Sequence, residues 1–187
     1  MKKMCKILVA ILFALVLAHP VMAKDSNVDI SLYSVTRFSV GKLAKYSSCS
    51  LGGGIAAEGT FPFFPLLGIS GRAEFAPMIG LHADIKSWMN AAFTAGLYLN
   101  LPLGKIFILR PELGYGVQLH IVDSTNKNLA GIFADQIIQF SGTVKIAPKP
   151  LQAKGFSFDV APLYTLLTEK TAALHYLGFR LGLSYQL

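Results

Sequence analysis

Several absences limit what this chain can be. It contains two cysteines, and only Cys49 lies beyond the first apolar segment, so a framework of internal disulfides is excluded. Charged residues make up 14% of the chain and the basic ones are scattered, which argues against nucleic acid as a partner. Beyond residue 23 no apolar run is long enough for a membrane-spanning helix, so a helical membrane protein is excluded.

The first residues have the pattern of a secretion signal. Three lysines at positions 2, 3 and 6 precede an unbroken apolar run at 7–18, and Val21-Met22-Ala23 places small residues before a cleavage point. The apolar run is short for a membrane anchor. We therefore predict a signal peptide at 1–23, cleaved after Ala23, and a single domain at 24–187.

The rest of the chain is rich in apolar residues that occur in alternation. Hydrophobic residues make up 53% of the sequence and the mean hydropathy is +0.51. Between Leu177 and Leu187 every second residue is apolar, and the residues between them are small or polar. A period of two predicts a β-strand with one apolar and one polar face. Its length suffices for a tilted strand to cross a bilayer.

The same alternation recurs between turn signals and predicts eight strands. Their predicted ranges are 28–40, 46–59, 67–77, 88–101, 106–122, 132–147, 156–167 and 173–187. The regular spacing is typical of an all-β, antiparallel, up-and-down arrangement. Because open sheet edges are not tolerated in lipid, such strands must close on themselves. The predicted fold class is an all-β, eight-stranded antiparallel up-and-down transmembrane β-barrel.

Aromatic residues near strand ends fit the two interfaces of a membrane. If the first strand begins on the periplasmic side, Phe61, Phe63 and Phe64 belong to the inner interface. Trp88, Tyr164 and Tyr176 then lie near the opposite ends of their strands. Aromatic girdles at both interfaces are expected in barrels of this kind.

The polar faces of the predicted strands carry balanced charge. Their members are Arg37, Arg72, Arg110, Lys145 and Arg180, opposed by Asp29, Glu58, Glu74, Glu112 and Asp159. In lipid these faces must point inward, where unpaired charges cost several kcal/mol each. An eight-stranded barrel is just wide enough for side chains to fill it. We therefore expect a charge network inside a polar, mostly occluded interior.

Two segments carry a resemblance to a known group of proteins. The ending at 179–187 looks like the C-terminal signal read by the barrel-assembly machinery, and the segment 110–117 (Arg-Pro-Glu-Leu-Gly-Tyr-Gly-Val) looks like a Pro/Gly/Tyr-rich barrel strand. The chain resembles the small outer-membrane barrels of Gram-negative and spirochaetal bacteria, such as the OmpA transmembrane domain, OmpX and OmpW.

This resemblance implies a location and partners. The expected location is the cell outer membrane, with outer-membrane lipid around the protein and the barrel-assembly machinery as its partner during biogenesis. The implied assembly signal consists of Phe179, Leu181, Leu183, Tyr185 and Leu187. That family usually ends in Phe, whereas this sequence has Leu187 with Tyr185 two positions earlier.

For function, we expect a non-enzymatic barrel with a structural role or with loops that bind a partner. No catalytic, cofactor-binding or metal-binding residues are predicted, and the extracellular partner or solute is left open. An alternative is a narrow channel for small or hydrophobic solutes, as the OmpW resemblance implies. In such a channel Tyr98, Ala161 and Leu163 would line an apolar path.

Two further alternatives stay open at the level of sequence. Some eight-stranded barrels are lipid A-modifying enzymes, and His82, His120 and His175 are the candidate bases here, with Asp123 and Ser124 close to His120 in sequence. Nucleophilic catalysis needs a hydroxyl within reach of the base and an acid that orients the base, and the His-x-Ser pattern of the deacylases is absent. The other alternative is a soluble, lipocalin-like secreted barrel.

Overall fold

The computed structural model describes residues 28–168 and 173–187. The predicted signal peptide at 1–23 lies outside these residues. Within them are nine strands: β1 Val28–Val40, β2 Cys49–Phe61, β3 Phe64–Ile79, β4 Ile85–Leu99, β5 Leu101–Leu103, β6 Phe107–Ser124, β7 Gly131–Ile146, β8 Phe156–Thr168 and β9 Ala173–Gln186. A 3-10 helix, Gly41–Lys45, follows β1, and a short α-helix, α1, spans Lys149–Gln152.

The strands close into one barrel. Each long strand pairs in antiparallel fashion with its neighbours in sequence, β1 pairs with β9, and β4 pairs directly with β6. The three-residue β5 continues the line of β4 and also pairs with β6, so nine segments form eight positions around the barrel. The predicted fold class is confirmed. No helix among residues 28–168 and 173–187 is long and apolar enough to cross a membrane.

We call the end of the barrel that holds Val28 and Gln186 the lower end. The connections at 62–63, 104–106 and 147–155 lie there. The upper end holds the 3-10 helix and the connections at 80–84 and 125–130.

The alternation of the sequence becomes the two sides of the barrel wall. In β9, Leu181 and Leu183 are exposed on the outer side, whereas Arg180 and Ser184 are buried. The other strands repeat this arrangement, so large apolar side chains such as Ile55 and Leu113 face outward. A soluble barrel has the opposite arrangement, because it must bury its apolar faces.

Most strand boundaries differ by one to three residues from the predicted ranges, and two of the differences have a local structural basis. The second strand begins at Cys49 rather than at residue 46, because the 3-10 helix draws Leu43 into the barrel mouth, where it is only 1% exposed. The segment at 60–66, between the predicted second and third strands, contracts to a turn of Pro62 and Phe63. Its flanking residues Phe61 and Phe64 pair with each other across the turn, beyond a local shift in register.

The predicted aromatic girdle at the upper end is wrong for two of its three residues. Phe63 and Phe64 are strongly exposed at the lower end, where they were expected. Tyr176, however, is buried inside the barrel, and Trp88 is partly buried against the same interior cluster. The reason is the alternation of side chains along a strand, which places both residues at positions that point into the barrel.

Candidate functional site in the barrel interior

Glu58, on β2, is the centre of a charged cluster in the lower half of the barrel. Arg72 Nη2 donates to Glu58 Oε1 at 2.7 Å and also to Glu112. Arg110 Nη1 lies between two carboxylates, 2.9 Å from Glu58 Oε2 and 2.8 Å from Asp29 Oδ2. Arg72 thereby links β3 to β6, and Arg110 links β6 to β1 and β2. Neither link joins strands that are neighbours in the sheet, so both run across the barrel interior.

Lys145, on β7, extends this cluster across the barrel. Its Nζ lies 2.9 Å from Asp29 Oδ2, 3.3 Å from Glu58 Oε2 and 3.7 Å from Asp159 Oδ2. The Ser184 hydroxyl lies 3.2 Å from the same Nζ and also hydrogen-bonds to Asp159. One ammonium group thereby contacts side chains from four other strands.

Glu74, on β3, organises the middle of the barrel. Its carboxylate accepts hydrogen bonds from Arg37 and from the Tyr33 hydroxyl, the latter at 3.1 Å. Arg180 Nη1 lies 3.8 Å from Glu74 Oε1, and its guanidinium lies over the Tyr33 ring, 5.6 Å from the centroid.

All the charged residues predicted for the polar faces lie on the inner side of the wall. We call them the interior ion network: Asp29, Arg37, Glu58, Arg72, Glu74, Arg110, Glu112, Lys145, Asp159 and Arg180. Asp29 and Asp159 are half-buried, and the others are buried. Since buried charges are costly unless paired, this balance suits a filled interior.

Tyr98 depends on a glycine for its place in the interior. It pairs in register with Gly68, where an added Cβ would run into the Tyr98 ring. The Arg110 guanidinium lies 5.0 Å from the centroid of that ring. Gly68 therefore supports the ion network indirectly, because it leaves space for the Tyr98 ring on which the Arg110 guanidinium lies.

Replacing Gly68 by Ala is expected to destabilise the barrel by about 1–3 kcal/mol, because the new methyl group must displace Tyr98. The matched control is Gly71→Ala in the same strand, where an added Cβ meets nothing within 4 Å and the expected change is within about 0.5 kcal/mol. Urea unfolding of both refolded variants in lipid vesicles gives the comparison. Equal free energies of unfolding for the two variants would show that the Gly68 space is not needed.

Apolar side chains fill the barrel above the ion network. We call this cluster the upper plug; its buried members are Leu43, Met78, Ala92, Ile137, Leu167 and Tyr176, with Leu81, Trp88 and Leu174 partly buried against them. Gly41 adopts a positive φ of 65°, a conformation open to glycine, at the start of the 3-10 helix that places Leu43 in the mouth. This apolar cluster is not among the features predicted from the sequence, where Trp88 and Tyr176 are expected at the membrane interface. The available signal was an apolar residue on an otherwise polar face, as at Ile137.

The structure does not bring the candidate catalytic residues together. The Ser124 hydroxyl donates to the Asp84 carbonyl at 2.6 Å, while His120 contacts Trp88 and Asp135. His175 Nδ1 hydrogen-bonds with the Tyr164 hydroxyl at 2.7 Å. In the described part of the chain, no three His, Cys, Asp or Glu side chains are grouped so that they could hold a metal ion.

The channel alternative and the assembly signal involve residues on opposite sides of the wall. Tyr98, Ala161 and Leu163 are all buried in the interior. The proposed signal residues, Phe179, Leu181, Leu183, Tyr185 and Leu187, are exposed on the outer side. The Tyr185 ring packs against Phe156 with centroids 4.9 Å apart, and the Leu187 amide donates to the Val28 carbonyl at 2.9 Å.

Comparisons with known proteins agree on the fold. Neisserial surface protein A superposes with a TM-score of 0.64 at 7% identity, over 88% of this chain and 100% of that one. The Yersinia pestis outer membrane protein Ail gives a TM-score of 0.55 at 16% identity, over 87% and 97%. A major outer membrane protein from Thermus thermophilus gives 0.53 at 12% identity, over 86% and 99%.

Sequence comparison adds nothing to this likeness. No protein-family model matches the chain, and no curated protein matches it. At such low identities, the structural likeness concerns the barrel and carries no function.

Proposed function

We propose that this protein is a non-enzymatic outer-membrane barrel with an occluded interior, which stabilises the envelope or presents its loops to a partner. The observation that carries the proposal is the interior ion network. Within it, the single carboxylate of Glu58 contacts three cations, Arg72, Arg110 and Lys145. The apolar outer wall and the fold shared with outer membrane proteins support the location.

Two obstructions at different heights support the proposed occlusion. Charged side chains meet across the lower half of the barrel, and the upper plug fills the mouth. An eight-stranded barrel has little interior space beyond that taken by its side chains. A solute would have to displace both layers to pass.

Planar-bilayer recording tests the proposal. We expect no steady openings from the wild-type barrel. Steady openings are expected from the triple variant Leu43→Ala/Arg72→Ala/Glu112→Ala, which shortens the plug and removes one cation and one anion, so that the interior charge balance is kept.

The matched control for the recording is Ile132→Ala, which shortens an exposed side chain on the outer wall and should be as silent as the wild type. Steady solute-conducting openings from the wild type would contradict the occluded barrel and favour the narrow channel. A silent triple variant, shown to be folded by heat-modifiable gel migration, would show that these side chains are not the obstruction.

The same proposal includes the barrel-assembly machinery as a partner, which would read the outward residues at the end of β9. Leu187→Lys is expected to lower the amount of heat-modifiable barrel in outer-membrane fractions, whereas Leu187→Phe keeps or raises it. Leu187 is exposed, so both variants should refold in vitro with nearly unchanged stability. Equal amounts of assembled Lys and Phe variants would argue against a signal at this position.

The absence of enzymatic activity is also part of the proposal. It is supported by the separation of the Ser124 hydroxyl, which bonds to the Asp84 carbonyl, from His120. Mass spectrometry of lipid A after overexpression is expected to show unchanged acylation. A change that disappears in His120→Gln would overturn this part of the proposal.

A further inference from the structure

The His120 imidazole is hydrogen-bonded to Trp88, which packs against the upper plug. Trp88, on β4, packs against the plug, and its Nε1 donates a hydrogen bond to His120 Nδ1 at 3.0 Å. On the other side of the imidazole, Nε2 lies 3.3 Å from Asp135 Oδ2. We call Trp88, His120 and Asp135 the mouth triad.

The partners of His120 define its protonation state. An indole N–H can only donate, so the Nδ1 atom that accepts from Trp88 must carry a lone pair. The imidazole is therefore neutral, with its hydrogen on Nε2, the ring nitrogen that lies 3.3 Å from Asp135 Oδ2. The Gln118 amide nitrogen also lies 3.3 Å from Nε2, and because both nitrogens carry hydrogen in this tautomer the two groups are in contact without a hydrogen bond. His120 is only 4% exposed, so these contacts are not exchanged freely for water.

A second proton changes the contacts on both sides of the ring. It must go to Nδ1, and it then faces the indole N–H, so two donors oppose each other where one hydrogen bond had been. On the other side, the contact with Asp135 becomes an ion pair that attracts the imidazolium. The imidazolium therefore stays with Asp135, and Trp88 loses its partner.

We propose that protonation of His120 releases Trp88 and loosens the upper plug, which makes the mouth triad an acid-responsive device at the upper end of the barrel. Trp88 packs on the cluster that holds Leu43 in the mouth, so displacement of the indole removes one side of that packing. This inference concerns how firmly the mouth is closed. It does not depend on whether the closed barrel has a structural or a binding role.

The groups around His120 come from several strands. Asp135 on β7 supplies a negative charge, and Arg37 on β1 supplies a positive charge that acts on the ring. Gln118 on β6 is uncharged. Tyr176 on β9 lies beside Gln118 and also interacts with Arg37. Asp135 and Arg37 therefore act on the imidazolium with opposite signs, in addition to the cost of charging a buried ring, and both charges can be removed by substitution.

The chain contains a single tryptophan, so intrinsic fluorescence reports on Trp88 alone. For the refolded wild-type barrel in lipid vesicles, we expect the emission to shift to longer wavelength between about pH 8 and about pH 3, with one reversible midpoint. Quenching by acrylamide should increase through the same midpoint, because the indole leaves the plug.

Three variants assign the transition. His120→Gln offers the indole an uncharged acceptor, so the transition should disappear. Asp135→Asn removes the charge that stabilises the imidazolium, so the midpoint should move to lower pH. His175→Gln, at a histidine that pairs with Tyr164 away from the plug, should leave the midpoint unchanged.

The proposal is overturned by any of three results. The first is a wild-type barrel whose emission and quenching do not change over this range. The second is a transition that persists in His120→Gln, and the third is one that disappears in His175→Gln. If His120→Gln does not refold, the midpoints of Asp135→Asn and His175→Gln still decide the question, since equal midpoints in these two variants would contradict it.

Discussion

Replacing Glu58 by Gln is expected to destabilise the folded barrel by about 3–5 kcal/mol, the usual cost of removing one partner from a buried charge cluster. The Glu58 carboxylate contacts Arg72 at 2.7 Å, Arg110 at 2.9 Å and Lys145 at 3.3 Å. Glutamine keeps the size of the side chain but leaves these three cations with one negative charge fewer. The free energy of unfolding in urea, measured for the refolded protein in lipid vesicles, gives the effect.

The control for Glu58 is a carboxylate outside the barrel interior. Asp84 is exposed and pairs with His82 at 3.4 Å, so Asp84→Asn is expected to change stability by no more than about 0.5 kcal/mol. Adding Lys145→Met to Glu58→Gln restores the balance of positive and negative charges in the network and should recover part of the loss. If Glu58→Gln cost no more than Asp84→Asn, the interior ion network would contribute little to stability.

A charge on the outer wall has the second large effect. Ile55 lies near the middle of β2, is 55% exposed and has the outward residues Leu32 and Ala73 as its register partners. Ile55→Arg is expected to destabilise the protein in lipid vesicles by about 2–4 kcal/mol, because the guanidinium must enter the hydrocarbon region.

The matched substitution places the same charge at the end of a strand. Ile132, near the upper end of β7, is 68% exposed, and Ile132→Arg should cost only about 0–1 kcal/mol because it lies near the interface. Urea unfolding of both variants in the same vesicles measures the difference. A soluble barrel would tolerate arginine equally at two exposed positions, so equal small costs would favour the lipocalin-like alternative.

The period-two pattern predicts which side of the wall each strand residue occupies, and the reason is local. Successive side chains of a strand point to opposite faces, so the inward position of Arg110 and the outward position of Leu113 follow from the sequence of β6 alone. The number and direction of the strands follow from the turns between them.

The partners within the interior could not be predicted in the same way. That Lys145 reaches Asp29, across 116 residues of sequence, depends on how the strands tilt and on the register in which the barrel closes. The burial of Leu43 has no local sequence signal, because it depends on the open mouth left by the surrounding strands. Proximity to a strand end predicts Trp88 at the interface, whereas its inward position in β4 decides its burial.

The candidate catalytic histidine illustrates the same limit. The sequence places His120 close to Asp123 and Ser124, whereas the structure pairs it with Asp135 on β7 and Trp88 on β4. Adjacent residues of a strand point to opposite faces of the wall, and residues several positions apart are separated along the strand. Neighbours across the sheet and across the barrel decide the chemistry, and their identity requires the closed fold.

The proposed membrane location requires lipid to surround the apolar outer wall and to be kept away from the ion network and the upper plug. Isotope-edited NMR in lipid nanodiscs tests this without any substitution, through nuclear Overhauser effects between acyl-chain protons and protein methyl groups. We expect strong effects at Ile55, Leu113 and Leu181 and none at the buried, inward-facing Ile137, Leu163 and Leu167. Acyl-chain contacts at the second group, with none at the first, would contradict it.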